Sequence, residues 1–238
     1  AMLVGRDAPL RLVGPRASHA MHTWDFYKPA GWKNNFPIML DGGHSVECYM
    51  KCLEGCYEKL TEKTGEDLLE TNRYAVFHCT SVYLCKRAFQ GVAKRSVRKL
   101  KDREELYARK TSPSTEVTAR NGSAYAASVY VCLYALSSKM REGERTLVYS
   151  YGSGSLSTMY RLQCCGQVKL GSPCAELLER RKKCTVAEFL QANEDSTANY
   201  KRFGFTPESR LGGREVGVFY LDQVDEWGHR SYHRHGHQ

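Results

Sequence analysis

Several common signals are absent from this chain of 238 residues, and each absence excludes a class of protein. No run of about 18 uninterrupted apolar residues occurs, so we expect no membrane-spanning helix. The apolar start, residues 1–5, is too short for a signal peptide and is more typical of the end of a strand. A folded chain that opens on a strand is expected to have been cut from a longer one. No internal repeat is visible either.

The sequence also lacks any Cys-x-x-Cys pair, although it contains ten cysteines. Cys48, Cys52 and Cys56 recur every four residues, which on a helix places them on one face, where reduced cysteine packs as a small apolar residue. We favour core packing over a metal site, because a metal would need a fourth ligand. The adjacent Cys164 and Cys165 would point to opposite faces of a strand. This cysteine usage predicts a reducing compartment, either the cytoplasm or the mitochondrial matrix.

A formal net charge of +9 is the strongest compositional signal that is present. Much of the positive charge lies in two runs, residues 86–101 and residues 180–183. A pair of solvated faces is the first interpretation, and binding of a phosphate-bearing ligand is the second. The sequence shows no RRM, KH, zinc-finger or helix-turn-helix signature, so we expect no nucleic-acid partner.

Apolar spacing predicts helices and strands that alternate along the chain. The predicted helices cover residues 45–63, 81–100, 102–110, 121–140 and 185–193. The predicted strands cover residues 73–79, 145–151, 156–164 and 215–225. This alternation indicates an α/β or layered α+β protein with a sheet covered by helices.

The two ends of the chain are expected to be irregular. Residues 1–44 contain four prolines and are interpreted as loop-rich. Residues 227–238 carry four histidines and are interpreted as an exposed, frayed tail rather than as a metal site. Thr185, with Glu188 three residues later, predicts a capping box at the start of the last helix.

Three polar signals lie at the ends of these predicted elements. His78 follows the apolar run Tyr74–Phe77, so it is either a reactive group at the mouth of a buried strand or a core histidine. Asn121 precedes Gly122 and is either a helix N-cap or a functional amide. The segment Gly152–Gly154 is either a plain tight turn or a site element.

Seven short motifs occur in a fixed order along almost the whole chain. They are Ala1–Gly5, Asp25–Pro29, Asp41–Gly42 with Cys48–Tyr49, Phe77–His78, Asn121–Gly122, Ser150–Gly154, and Phe219–Leu221 with Val224–Glu226. In this order they resemble the C-terminal half of 3-hydroxy-3-methylglutaryl-CoA synthase, a family of the thiolase-like superfamily. Each motif alone is weak, and their shared order carries the resemblance.

The resemblance implies a fold of two similar halves, each a mixed five-stranded sheet with helices. The halves pack as a five-layer αβαβα sandwich. Residues 1–238 would form the C-terminal half-domain, with residues 1–44 as a linker and the end of the first half, and residues 227–238 as an exposed basic, histidine-rich tail. A half-sandwich exposes an apolar face, so a partner is implied: the N-terminal half or another protein subunit.

The resemblance also implies the condensation of acetyl-CoA with acetoacetyl-CoA, with CoA thioesters as substrates and neither a covalent cofactor nor a metal. A cysteine and a glutamate of the first half supply the nucleophile and the base. His78 matches the histidine that holds the acetoacetyl group, and Asn121 matches an asparagine whose amide contacts the same group. Gly152 and Ser153 match a turn that faces the substrate. Lys86 is the best match to a lysine that helps to hold CoA.

The segment after the histidine departs from the family pattern. The family has Thr-Pro or Ser-Pro there, with its lysine five positions after the histidine, whereas here Cys79 follows His78 and Lys86 stands eight positions on. Three extra residues move the lysine by nearly one helical turn, about 4–5 Å. Two functions therefore stay open. The first is the C-terminal part of a split or cleaved synthase, which the matched site residues favour. The second is an inactive synthase-derived accessory subunit of a larger complex, with the mitochondrion as one location for it.

Overall fold

The computed structural model describes residues 4–29, 37–96, 99–168, 178–199, 202–207 and 216–236. The chain divides into two compact units. One is formed by residues 1–27 and 38–181, and the other by residues 28–37 and 182–238. None of the described helices is long and apolar enough to cross a bilayer.

A mixed sheet lies at the centre of the first unit. Its strands are β1 (Leu10–Ala20), β4 (Tyr74–Phe77), β5 (Arg145–Gly152) and β6 (Leu156–Cys164), and a separate short hairpin is made by β2 (Phe26–Tyr27) and β3 (Ile38–Met39). The strand order is β1–β6–β5–β4. β5 pairs in parallel with β4 and antiparallel with β6, and β6 pairs antiparallel with β1. The mixed sheet confirms the predicted class.

Helices cover this sheet. They are α1 (Gly42–Thr64), α2 (Leu68–Thr71), α3 (Val82–Ala93), α4 (Leu100–Lys110), α5 (Thr118–Asn121) and α6 (Ala127–Ser137), with a 3-10 turn at Ser112–Ser114. All four residues of β4 are buried, as expected for a short apolar strand whose two faces are both covered. The core is built largely from β4, the middle of β5 and the apolar faces of α1 and α3.

Helix α1 confirms the helix predicted over residues 45–63 and begins three residues before it. Asp41 is the N-cap, because its Oδ1 accepts a hydrogen bond from the main-chain N–H of His44 at 2.7 Å. Gly65 ends the helix with φ 66°. The helix buries three cysteines in the core, which are Cys48, Cys52 and Cys56. The nine cysteines in the described part of the chain are all free thiols.

Two predicted helices have different boundaries in the structure. The helix expected over residues 81–100 ends at Ala93, and residues 94–96 form a turn. Ser81 caps α3, because its hydroxyl oxygen accepts a hydrogen bond from the N–H of Leu84 at 3.1 Å. The helix expected over residues 102–110 is α4, which begins at Leu100.

The single long helix predicted over residues 121–140 is wrong. α5 ends at Asn121, and α6 begins only at Ala127. Gly122 (φ 80°) and Tyr125 (φ 51°) both have left-handed backbone conformations, which a right-handed helix cannot include. The N-cap interpretation of Asn121 is therefore wrong as well, since this residue ends a short helix.

The interpretation of residues 1–44 as loop-rich is wrong over residues 10–20. The 11-residue strand β1 pairs with β6 over most of its length. The pairing shifts register between Val13 and Ala17, and Gly14 (φ 68°) and Pro15 lie inside that irregularity. A proline at a bulge of an edge strand removes no ladder hydrogen bond, so it does not prevent the strand.

The sheet has four strands within the described residues, where the resemblance implies five. The segment between α4 and α6 forms helical turns. Its start is fixed to β4 by a side chain, because the Thr111 hydroxyl donates a hydrogen bond to the carbonyl of Ala75 at 2.9 Å. A side-chain donor thus satisfies a strand carbonyl that would otherwise need a neighbouring strand.

The second unit contains a helix and a hairpin. Helix α7 (Val186–Ala198) has the predicted capping box between Thr185 and Glu188. Strands β7 (Phe219–Val224) and β8 (Arg230–Arg234) pair antiparallel. The described part of the predicted tail, residues 227–236, is largely exposed, but it is not frayed over β8, where backbone pairing orders it. His237 lies outside the described residues.

Candidate active site

His78 lies directly after β4, at the edge of the sheet where the parallel strands β4 and β5 both end. Its main-chain N–H donates a hydrogen bond to the carbonyl of Tyr149 at 2.8 Å. The Tyr149 hydroxyl donates to the carbonyl of Tyr49 at 3.1 Å, and the Tyr49 hydroxyl donates to the carbonyl of His78 at 3.0 Å. The three residues form a closed ring of hydrogen bonds. This hydrogen-bond cycle joins α1, β4 and β5 and fixes the backbone of residue 78.

The imidazole of His78 is buried between aromatic side chains. Its ring centroid lies 6.4 Å from the ring of Tyr49 and 6.2 Å from the ring of Tyr151. Burial lowers the pKa of His78 below the usual 6.5, and the nearby Cys79 opposes this shift. The Nδ1 atom is buried and makes no hydrogen bond. The ring is therefore neutral near pH 7 and can donate from one nitrogen only.

The burial of His78 predicts a pH dependence of stability. As pH falls from about 7 to about 5, the unfolded chain takes up this proton first, because the pKa of His78 is lower in the folded state. The unfolded state then binds more protons, so the free energy of unfolding decreases as pH falls. His78→Gln has no such proton to bind, so its urea midpoint is expected to change less between the two pH values than that of the wild type. Equal changes in both proteins would contradict the assignment.

The turn at residues 152–154 is held by a buried carboxylate. Asp25 is fully buried, and its Oδ1 accepts a hydrogen bond from the N–H of Gly154 at 2.9 Å. Its Oδ2 accepts from the hydroxyl of Tyr151 at 2.7 Å, and that hydroxyl is also 2.9 Å from the Ser155 Oγ. Gly154 has φ 115°, which a residue with a side chain rarely adopts. Ser153 is exposed at the tip of this turn.

Asp25 is a site residue that the sequence analysis did not single out. The motif Asp25–Pro29 contributed to the resemblance, but nothing in its local pattern indicates a partner more than 120 residues away. Because the ring of Tyr151 also lies beside His78, Asp25 links the turn to the histidine. The structure therefore brings His78 and the turn together at one edge of the sheet.

Asn121 is the last residue of α5, a short helix whose first residue lies next to Cys79. The helix is fixed at its first residue, because Thr118 Oγ1 lies 3.5 Å from the Sγ of Cys79, the residue after His78. The same hydroxyl donates to the carbonyl of Thr115 at 3.1 Å. Asn121 itself is exposed at the end of this short helix.

Lys86 is directed towards α4 rather than towards His78. Its Nζ forms an ion pair with Glu104 at 2.9 Å, and both side chains are roughly half exposed. The two residues lie in a shallow groove between α3 and α4, together with Tyr83, Arg87, Gln90 and Leu100. The charge of Lys86 is thus paired with a side chain of α4.

No metal centre accompanies these residues in the described part of the chain. There, no three or more histidine, cysteine, aspartate or glutamate side chains are grouped so that they could hold a metal ion. The chemistry available is that of a neutral imidazole, an exposed amide and the N–H and hydroxyl groups of a turn. Groups of this kind can donate hydrogen bonds to a carbonyl oxygen.

A histidine and a glycine-rich turn thus lie at the ends of adjacent strands of a mixed sheet in an α/β protein. A family model described as "Hydroxymethylglutaryl-coenzyme A synthase C terminal" matches residues 13–94 and 90–235. The chain therefore belongs to the hydroxymethylglutaryl-CoA synthase family, and it corresponds to the C-terminal part.

Curated relatives agree with this assignment. The mitochondrial hydroxymethylglutaryl-CoA synthase of Sus scrofa is 29% identical over 99% of this chain and 58% of its own length. The hydroxymethylglutaryl-CoA synthase of Schizosaccharomyces pombe is 28% identical over 98% of this chain and 62% of its own length. The chain thus spans about three-fifths of the length of these relatives.

Solved structures show the same fold. The HMG synthase of the curacin biosynthetic pathway, in complex with acetyl donor-ACP, superposes with a TM-score of 0.80 at 20% identity, over 93% of this chain and 56% of that one. An HMG-CoA synthase complexed with CoA gives a TM-score of 0.72 at 16% identity, over 96% of this chain and 57% of that one. At these identities the likeness concerns the fold.

Proposed function

We propose that this chain is the C-terminal part of a hydroxymethylglutaryl-CoA synthase that condenses acetyl-CoA with acetoacetyl-CoA. A first half supplies the cysteine nucleophile and the glutamate base. The observation that carries the proposal is the placement of His78 beside the turn at residues 152–154, on the ends of adjacent strands. The reaction would place the protein in the mevalonate route to isoprenoids and sterols, in the cytoplasm or the mitochondrial matrix.

His78 would hold the acetoacetyl group. In the condensation the enolate of the bound acetyl group attacks a ketone carbon, and the ketone oxygen becomes an alkoxide. A neutral imidazole that donates a hydrogen bond to this oxygen stabilises the charge as it develops. The Nδ1 atom of His78 is buried without a partner, so a ligand group that reached it would satisfy a polar atom that is otherwise costly to bury.

The other matched residues would orient the same substrate. Asn121 is exposed, so its amide is open to the acetoacetyl portion. Gly152 and Ser153 are also exposed, and their turn is held from beneath by Asp25. A turn fixed in this way presents its N–H and hydroxyl groups without reorganisation, which is the condition under which such donors contribute most.

Helix α6 supports the need for a first half. Its sequence is apolar around the whole circumference, which is typical of a helix buried on all sides. Val129, Cys132 and Leu136 are buried, but Tyr130 is 48% exposed and Ala127 is exposed. We infer that the first half covers this open flank, as the paired halves of the family fold require.

Lys86 is the proposed contact to CoA. It would have to leave Glu104 to bind a phosphate, and exposed ion pairs of this kind contribute only about 0.2–1 kcal/mol. Replacing the ion pair with Glu104 by a contact to phosphate would therefore cost little free energy. The groove that holds Lys86 also contains Arg87, a second cation for an anionic ligand.

The same ion pair favours a second function, an inactive accessory subunit. The lysine stands eight positions after His78 instead of five, and its charge is already matched by Glu104. If CoA no longer binds there, the fold would serve assembly alone, in a larger complex.

The two functions differ when the chain is combined with a first half. We would co-express the chain with the part of a family member that it does not match and purify the pair by a tag on one partner. A stable pair that forms hydroxymethylglutaryl-CoA from acetyl-CoA and acetoacetyl-CoA supports the enzyme. A stable pair without CoA-dependent activity supports the accessory subunit.

A further inference from the structure

Tyr125 has an unusual backbone conformation. With φ 51°, it is the one non-glycine residue at positive φ among those that the structure describes. A bulky side chain in the left-handed region is a conformational outlier, and glycine or asparagine normally occupies such a position. The strain lies between Asn121 and the start of α6.

Burial does not account for this conformation, because Tyr125 is 59% exposed. Its ring pairs instead with an aromatic neighbour: the centroid lies 6.4 Å from that of Phe26, with an angle of 32° between the ring planes. Phe26 follows Asp25, whose carboxylate holds the turn at residues 152–154. The contact therefore connects the Asn121 segment to the residue that follows Asp25, the support of the turn.

The other end of this segment is fixed next to His78. Thr118, three residues before Asn121, lies 3.5 Å from the Sγ of Cys79. Asn121 thus stands between two attachments, one beside His78 and one beside Asp25. A chain that needed only a reversal here would place a glycine at position 125 at lower conformational energy. The aromatic ring of Tyr125 is therefore the group that a glycine at this position would lose.

We propose that Tyr125 is a positioning residue, which holds the loop at residues 121–126 against Phe26 so that the Asn121 amide faces the space between His78 and the turn. The order of this loop follows from the structure alone, whereas the role of the Asn121 amide towards the substrate rests on the proposed function.

The test separates strain from positioning by comparing Tyr125→Gly with Tyr125→Phe. Glycine relieves the backbone strain, so the thermal midpoint is expected to stay or rise, whereas the loss of the ring frees the loop. Main-chain amides of residues 122–126 are expected to exchange about tenfold faster in Tyr125→Gly and in Phe26→Ala, and at the wild-type rate in Tyr125→Phe. Tyr232→Ala, at an equally exposed tyrosine of β8, is the matched control and should change neither quantity.

Wild-type exchange rates in Tyr125→Gly would overturn the proposal, as would faster exchange in Tyr125→Phe. In the assembled enzyme, Tyr125→Gly should raise the KM for acetoacetyl-CoA about tenfold with its thermal midpoint preserved, because Asn121 would no longer be held in place. An assembled wild type that never binds acetoacetyl-CoA would refute the proposed function, and the exchange rates would still decide the role of Tyr125.

Discussion

Replacement of His78 by alanine is expected to lower the condensation rate of the assembled enzyme by about 10²–10⁴-fold, the usual contribution of a positioned proton donor. The fold should survive the change. The hydrogen bonds of residue 78 within the hydrogen-bond cycle use its main-chain N–H and carbonyl, and alanine retains both. The loss should therefore appear in kcat/KM for acetoacetyl-CoA, measured by single-turnover condensation on a protein that retains its fold.

His44→Leu is the matched control for this prediction. His44 is an exposed histidine in the first turn of α1, and it lies outside the proposed site. Its activity should equal that of the wild type. If His78→Ala retained full activity in a pair that condenses acetyl groups, His78 would not be the residue that holds the acetoacetyl group.

Replacement of Asp25 by alanine is expected to give the largest loss of stability in this region. The fully buried carboxylate accepts hydrogen bonds from Gly154 and Tyr151, and hydrogen bonds to charged groups contribute about 1.5–3 kcal/mol each. Alanine leaves the N–H of Gly154 without its acceptor. We expect a decrease of about 2–4 kcal/mol in the free energy of unfolding, measured by urea denaturation.

Two variants calibrate this expectation. Asp25→Asn keeps one acceptor oxygen and should lose less than half as much stability. Asp41→Ala removes an exposed helix cap instead of a buried acceptor and should cost about 1 kcal/mol. A smaller loss for Asp25→Ala than for Asp41→Ala would show that the carboxylate does not hold the turn.

Local sequence pattern predicted the elements whose causes are local. The apolar run of β4 placed His78 at a strand end, and strand β6 has the predicted bounds, Leu156–Cys164. The capping box of α7 was also predicted, because the two residues that form it are three positions apart. In each case the residues that decide the structure are neighbours in sequence.

The errors arose where distant contacts decide. The composition of residues 121–140 favours a helix, and the left-handed residues Gly122 and Tyr125 interrupt it. β1 was missed because the prolines of residues 1–44 suggested a loop, whereas its pairing with β6 is set by residues about 140 positions away. The support of the turn by Asp25 was missed for the same reason.

The hydrogen-bond cycle of Tyr49, His78 and Tyr149 fixes the position of residue 78 independently of its side chain. The hydrogen bonds of this cycle to residue 78 use only its main-chain N–H and carbonyl. Its side chain can therefore be replaced while the position of the residue in the fold stays constant. A single substitution at position 78 can therefore add or remove a functional group without a rearrangement of the surrounding fold. A series of amino acids at position 78 would report on chemistry at a fixed location.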